Sequence, residues 1–388
     1  MHIMLNQYNL KMPTNVFAGS DAMQNLHTII KDGVTKITIF TDKGILKVGL
    51  LDEVISIIEK NNIEYEILSD IPTEPSYIEA QEVVEHFKAL NSDFIIGVGG
   101  GSVMDIAKLA SVLSTDDYTV KDLLEDPLVA KKQVTTLMIP TTAGTGSEAT
   151  PNSIVGVPEK NLKVGIVNGE LIADHVILDS NMIKNLPKPI AAATGIDALA
   201  HAIECFTSKK ANPISDTFAL EALDLIMNNI IEACTNPDAL EAKRNMLLGS
   251  FYAGVAITSS GTTAVHALSY PLGGKYHIAH GVSNAILLTP VMKFNEPVIK
   301  DLLAKAYDRV VKENSEELTV NEKSKYIIDL IENIVKTLEI PTSLKTFNVP
   351  EEDLEGLVEA GMEVQRLLVN NRREVTPEDA RKIYLEIM

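Results

Sequence analysis

Apolar residues recur along the first half of the chain in two alternating rhythms. Short, nearly continuous apolar runs at Lys36–Phe40, Tyr65–Leu68, Asp93–Val98 and Thr135–Pro140 read as strands buried on both faces. Between the first two, Leu51, Val54, Ile55 and Ile58 follow i, i+3, i+4, i+7 spacing and predict a helix over Leu50–Asn61. A second helix is expected over Ser76–Leu90, and further strand-like runs fall at Lys163–Val167 and His175–Asp179. Strands alternating with helices imply a parallel sheet with helices on both faces.

The pattern changes near Pro187. Beyond it, alanine- and leucine-rich helical periodicity dominates, with no convincing alternating strand. Ile327, Leu330, Ile331, Ile334 and Leu338 form one stripe over Tyr326–Leu338. Thr376-Pro377-Glu378-Asp379 is a helix start, with a capping threonine, proline in the first turn and acids beside it. The expected fold is therefore an α/β unit over residues 1–185 followed by an all-helical unit over 186–388. No Pro/Gly-rich linker separates them, so close packing of the two is expected.

Composition narrows the function. At 388 residues the chain can bury two substantial cores, and 45% hydrophobic with 22% charged residues is ordinary for a globular protein. A formal charge of −19 repels nucleic acid and anionic lipid, so neither is an expected partner. Met1–Met12 lacks a basic segment followed by an apolar one, so no secretory leader is expected, and no run approaches a membrane span. Cys205 and Cys234 form no CxxC pair, which speaks against a thiolate metal site and fits a reducing, cytoplasmic setting.

Five of the eight histidines fall between positions 175 and 280. Asp197 and His201 are spaced i, i+4, so on a helix both side chains leave one face. Alone, such a pair reads as an acid near a helix N-terminus and a satisfied core histidine. Here Ala191, Ala192, Ala193, Ile196, Ala198, Leu199, Ala200, Ala202 and Ile203 surround it. A buried helix must supply partners for its polar groups. His266 and His280 lie in a second segment and complete a set of three imidazoles and one carboxylate. That set suits Zn²⁺ or Fe²⁺ and suits Mg²⁺ or Ca²⁺ poorly.

Two small-residue loops follow strands. Gly99-Gly100-Gly101-Ser102 runs into a helix start at Val103, a junction where backbone amides can approach a phosphate. It is not the GxGxxG fingerprint, and a tight turn is the plainer alternative. Pro140 to Glu148, with Thr141, Thr142 and Thr145, offers hydroxyls and amides to a ribose, phosphate or carboxamide. Both loops leave the carboxyl edge of the expected sheet, where ligands bind. Asp42 closes an early strand. It can accept from an adenosine ribose and repel a 2′-phosphate, or simply cap its own turn.

The chain resembles the iron-containing (group III) alcohol dehydrogenases over nearly its whole length. The resemblance is carried by Gly99–Asp105, Pro140–Thr145, the stretch from Leu178-Asp179 through Pro187 to Gly195-Ile196-Asp197-Ala198 and Glu204, and His266…Tyr270-Pro271-Leu272-Gly273…His280-Gly281. It implies a Rossmann-like dinucleotide-binding domain, a helical metal-binding domain and a metal in the cleft between. It maps the metal ligands onto Asp197, His201, His266 and His280, and the pyrophosphate loop onto Gly99, Gly100, Gly101 and Ser102. Nicotinamide and ribose contacts map onto Asp105, Thr141, Thr142 and Thr145, a further cofactor lysine onto Lys163, and the choice of NAD over NADP onto Asp42. The implied reaction is hydride transfer between NAD(H) and a small primary alcohol or aldehyde. One divalent ion, Fe²⁺ ahead of Zn²⁺, serves as Lewis acid. A homodimer or higher homo-oligomer is the expected assembly.

One departure concerns proton transfer. Many members carry a second histidine four residues after the third ligand; here that position is Tyr270. His277 is the nearby imidazole that can replace it, and Tyr270 itself is the other catalytic candidate. The alternatives in reaction type are glycerol-dehydrogenase-like polyol oxidation, a hydroxyacid–oxoacid transhydrogenase with bound NAD, a dehydroquinate-synthase-like lyase, and metal binding without catalysis. The lyase needs many basic groups for a phosphorylated substrate. Asp197–Cys205 has none, which favours a small neutral substrate.

Overall fold

Six parallel strands form one sheet whose inner strands are apolar on both sides and need a covering layer above and below. The computed structural model describes residues 7–19, 21–31, 33–160, 162–312 and 317–388, so residues 1–6 of the Met1–Met12 stretch lie outside it. The strands, in chain order, are β1 (Asn15–Ala18), β2 (Lys36–Phe40), β3 (Glu64–Leu68), β4 (Phe94–Gly99), β5 (Thr135–Pro140), β6 (Asn152–Val157), β7 (Leu162–Val167) and β8 (His175–Leu178). The sheet runs β1-β8-β5-β4-β2-β3. β6 and β7 stand outside it as an antiparallel hairpin.

The expected strands over 36–40, 65–68, 93–98 and 135–140 are present within a residue or two. The Lys163–Val167 run is a strand, but it pairs with Asn152–Val157 and not with the parallel sheet. β1 and β6 escape the periodicity, since Asn15–Ala18 and Asn152–Val157 are short and mixed in polarity.

Side chains alternate between the two faces. Ile37, Ile39, Ile96 and Val98 meet Val54, Ile57 and Ile58 of helix α1 (Asp52–Lys60). Phe40, Ile95 and Met138 meet Val84 and Phe87 of α2 (Tyr77–Leu90) and Ile106 of α3 (Gly101–Val112). From β2 the chain moves outward to β3, then returns to the other side of β2 as β4. A crevice opens where the strand order reverses in this way.

After Leu178 no strand occurs among the described residues. The helices are α4 (Lys188–Thr207), α5 (Pro213–Thr235), α6 (Leu240–Ser259), α7 (Ala264–Tyr276), α8 (His280–Val310), α9 (Val320–Thr337), α10 (Leu354–Glu363) and α11 (Pro377–Ile387). They share one core that includes Ile196, Leu223, Leu268, Leu287, Ile331 and Tyr384. The α11 start is as expected: Thr376 and Asp379 form a reciprocal capping box. None of the described helices is long and apolar enough to cross a membrane.

A buried lysine joins α3 to the loops on the cleft side. Lys108 has no solvent exposure. Its ammonium donates to the Ser147 carbonyl at 3.0 Å and to the Asn152 carbonyl, and pairs with Asp105 at 2.9 Å. Asp105 in turn accepts from the Ile154 amide at 2.9 Å and from the Ser147 hydroxyl. Removing one member of such a pair strands the other charge, at a cost of about 3–5 kcal/mol. Lys108→Met is therefore expected to lower unfolding stability by about 3 kcal/mol in denaturant titration; a loss below about 1 kcal/mol would contradict this account.

Candidate metal centre and cofactor cleft

α4 is apolar on every side, and its polar residues Asp197, His201 and Glu204 fall at i, i+4, i+7 on one face. α7 brings His266 to that face, and α8 begins with His280. Ligand atoms of Asp197, His201 and His266 lie within 4.8 Å of one another, all buried. His280 completes the ring. The Asp197 Oδ1 atom is 3.8 Å from His201 Nε2, 3.6 Å from His266 Nε2 and 3.5 Å from His280 Nε2. The structure thus brings together all four residues expected to hold an ion.

The outward ring nitrogens of His201 and His266 are tied off, which turns their Nε2 atoms inward. His201 Nδ1 lies 3.3 Å from the Gly144 carbonyl. His266 Nδ1 bonds the Glu204 carboxylate, which also accepts from the Thr263 and Val265 amides at 3.1 and 2.8 Å and from the Thr263 hydroxyl at 2.6 Å. Burial pushes the His266 imidazole down, but Glu204 and Asp197 outweigh it and lift it to about 9. Burial dominates at His280 and holds it at about 3. Burial would raise Asp197; the facing imidazoles, His201 foremost, take its carboxyl well below the ordinary range.

Asn284 escaped the sequence reading. It follows His280 by one turn of α8, and its Nδ2 sits 2.7 Å from Asp197 Oδ1 and 3.2 Å from Nε2 of both His266 and His280. Its Oδ1 is buried without a partner. An i, i+4 spacing from His280 was the available signal; Glu204 at i+7 from Asp197 was another. An orphaned buried oxygen beside three imidazoles and a carboxylate fits a site built for a divalent cation.

The cofactor candidates line a neighbouring cavity of about 930 Å³ at the carboxyl ends of β2, β4 and β5. Its walls include Asp42, Gly100, Gly101, Ser102, Thr141, Thr142 and Thr145. Gly100 precedes α3 with no side-chain cap, leaving first-turn amides free for a phosphate. Gly99 lies inside β4, off the cavity wall. Asp42 also caps the short helix Lys43–Lys47, accepting from the Gly44 and Ile45 amides at 2.7 and 3.0 Å.

A second cavity, of about 500 Å³, holds Asp197, His201, His266, His280 and Tyr270. Gly101, Ser102 and Thr145 line both cavities, so the two form one cleft. Asp105 and Lys163 lie on the second cavity's wall, Asp105 committed to Lys108 and Lys163 to Glu74 at 2.6 Å. Tyr270 is buried, its ring 6.0 Å from that of His280. His277 does not join them: it is an exposed residue ending α7 in the left-handed conformation, φ 55°. Asp197–Cys205 itself carries no lysine or arginine, but the cavity has basic groups from elsewhere: Lys210, shortly after that stretch, and Lys163 and Arg366 from distant segments.

Two family models cover the chain: "Iron-containing alcohol dehydrogenase" over residues 13–180 and "Fe-containing alcohol dehydrogenase family, C-terminal" over 191–388. Long-chain-alcohol dehydrogenase 1 of Geobacillus thermodenitrificans is 36% identical over 355 residues, spanning 91% of this chain and 89% of that protein. The alcohol dehydrogenase from Oenococcus oeni superposes with a TM-score of 0.92 at 29% identity, over 98% of this chain and all of the other. Sulfoacetaldehyde reductase from Bifidobacterium kashiwanohense, solved in complex with NAD⁺, gives 0.86 at 25% identity over 98% and 99%.

The supports behind the ligands are expected to set metal affinity. Glu204→Gln and Asn284→Ala should each weaken divalent-ion binding about 10- to 100-fold in chelator competition, with the helical signal of the protein retained. Affinities equal to wild type in both variants would remove these residues from the site.

Proposed function

The chain belongs to the iron-containing alcohol dehydrogenase family, and from that premise we propose that Asp197, His201, His266 and His280 hold one divalent ion, Fe²⁺ ahead of Zn²⁺, beside a bound NAD(H). The reaction is reversible hydride transfer between the nicotinamide and a primary alcohol or aldehyde. The observation that carries this reading is the single cleft: Gly101, Ser102 and Thr145 are walls of both the metal-ligand cavity and the cavity lined by the glycine and threonine loops.

When bound, such an ion supplies Lewis acidity at the substrate oxygen. The chain's residues do the rest. Glu204 and the Gly144 carbonyl fix the histidine rings, and Asn284 holds Asp197 Oδ1. Amides at Gly100, Gly101 and Ser102 face the pyrophosphate, and Thr141, Thr142 and Thr145 face the ribose and nicotinamide. Asp42 meets the adenosine ribose with its carboxylate. Asp105 shapes the wall through its pairing with Lys108, and Lys163 borders the cofactor from β7. Tyr270, with its phenol in the cavity, is the proton-exchange residue; His277 serves as the turn between α7 and α8.

The division into a dinucleotide-binding unit over 1–185 and a helical metal and substrate unit over 186–388 belongs to the same proposal. So do cytoplasmic residence and assembly as a homodimer or higher homo-oligomer.

Elemental analysis of anaerobically purified protein, followed by NAD⁺-dependent oxidation of an alcohol panel, tests the whole reading. His266→Ala is expected to lose both metal and activity while the parallel sheet stays folded. Unchanged metal stoichiometry in that variant would refute the ligand assignment. NADH is expected to outperform NADPH, since a 2′-phosphate beside Asp42 costs on the order of 1–3 kcal/mol. Asp42→Gly should narrow that gap; a native preference for NADPH would overturn the role given to Asp42.

A further inference from the structure

The metal-ligand cavity has a charged wall that hydride transfer to a plain alcohol leaves unused. Two of its charges are already matched, Lys163 by Glu74 and Asp105 by Lys108. Arg366 and Lys210 also line it. Among the described residues, no carboxylate oxygen comes within 4.0 Å of either cationic group.

Both residues are exposed, yet each lines the metal-ligand cavity. Arg366 sits in the single helical turn Gln365–Leu368, and its guanidinium folds back over the hairpin. A side chain at Gly165 of β7 would begin 3.5 Å from Arg366 Nη2, so the glycine keeps that path open. Burial holds the Tyr270 phenol's pKa above its ordinary value, and the nearby Arg366 guanidinium offsets part of that rise by favouring the phenolate. Tyr270 lies against His280, with ring centroids 6.0 Å apart. Arg366 is thus separated from the metal ligands by one side chain.

Lys210 is brought to the same wall by backbone pairing. The neighbouring Lys209 amide donates to the Asn370 carbonyl at 2.8 Å. Asn370, four residues after Arg366, also lines the cavity, and its Nδ2 donates to the Thr262 carbonyl at 3.0 Å. Its Oδ1 is buried with no partner. Neither Arg366 nor Lys210 lines the cofactor cavity, so the dinucleotide phosphates do not account for them.

We propose that Arg366 and Lys210 seat a terminal carboxylate of the substrate, so that the enzyme acts on short ω-hydroxy carboxylates and the corresponding ω-oxo acids. This rests on the hydride-transfer reading above. A guanidinium presents a planar fork matched to a carboxylate, and an ammonium adds a point charge. Of the acids on this wall, Glu74 and Asp105 are committed to lysines and Asp197 to the three histidines, so the balancing anion arrives with the substrate. Two unpaired cations on one wall favour a substrate carrying a carboxylate over analogues lacking it, by an amount that salt screens because both side chains meet solvent.

The test compares butanal, 4-hydroxybutanal and 4-oxobutanoate as NADH-dependent substrates of the metal-loaded enzyme. The oxo acid is expected to exceed butanal in kcat/KM by about 10- to 100-fold at low ionic strength, the scale of a charge-assisted hydrogen bond, with the gap shrinking in salt. Arg366→Gln should cut that ratio at least about tenfold, chiefly through KM, and Arg366→Lys should restore part of it. Butanal preferred over the oxo acid, or a ratio indifferent to Arg366→Gln and Lys210→Met, overturns the proposal. Preference for 4-hydroxybutanal also overturns it, in favour of a hydroxyl seat at Asn370. Calorimetric titration with succinate gives the same comparison without turnover. Weaker binding to Arg366→Gln than to wild type supports the carboxylate seat even if no aldehyde is reduced, an outcome that would sink the hydride-transfer reading alone. Equal binding to both proteins overturns the seat.

Discussion

A carboxylate only 2% exposed, set in an apolar helix, is the constraint around which this protein is organised. Burying an unmatched charge costs several kcal/mol, so Asp197 needs partners. They come from three directions: His201 on its own helix, His266 on α7 and His280 on α8. The helices must therefore approach closely. A side chain at Gly144 would begin 2.6 Å from Thr194 Cβ, and one at Gly281 would run into the Ala193 carbonyl. Glycine at these points lets the threonine loop and the start of α8 lie directly on α4.

The same packing sets the two cavities side by side. The carboxyl edge of the sheet presents Asp42, the glycine loop and the threonine loop on adjacent strands. The threonine loop continues to Gly144, whose carbonyl orients His201. One segment thus serves both cavities. Lys108 secures this region from beneath by holding the Ser147 and Asn152 carbonyls. The positions of cofactor loop and metal ligands are in this way mechanically linked.

Much of this was legible along the chain. The apolar runs marked five of the sheet's six strands, β2, β3, β4, β5 and β8, most clearly the inner ones, since a strand covered on both faces has no polar face to confuse the pattern. The i, i+4 spacing of Asp197 and His201 survived as a true shared face because α4 is a continuous helix, buried from Gly195 onward. β6 resisted detection: Asn152–Val157 owes its pairing to β7 and has little periodicity of its own. His277 looked equivalent to Tyr270 in sequence, three residues from one ligand as Tyr270 is four from another. The end of α7 separates them, turning His277 outward at positive φ.

Local pattern and composition by themselves determined the α/β-then-helical order and singled out the candidate ligand residues and the two loops, because each depends on neighbours a few positions away. Tertiary structure alone decided that Glu204 and Asn284 brace those ligands, and that Arg366 and Lys210 share their cavity. Those contacts join residues far apart in sequence: Glu204 to His266, Asn284 to Asp197, and Arg366 across to Tyr270. No periodicity encodes such distances. They exist because burying the Asp197 charge forces separate helices onto one point.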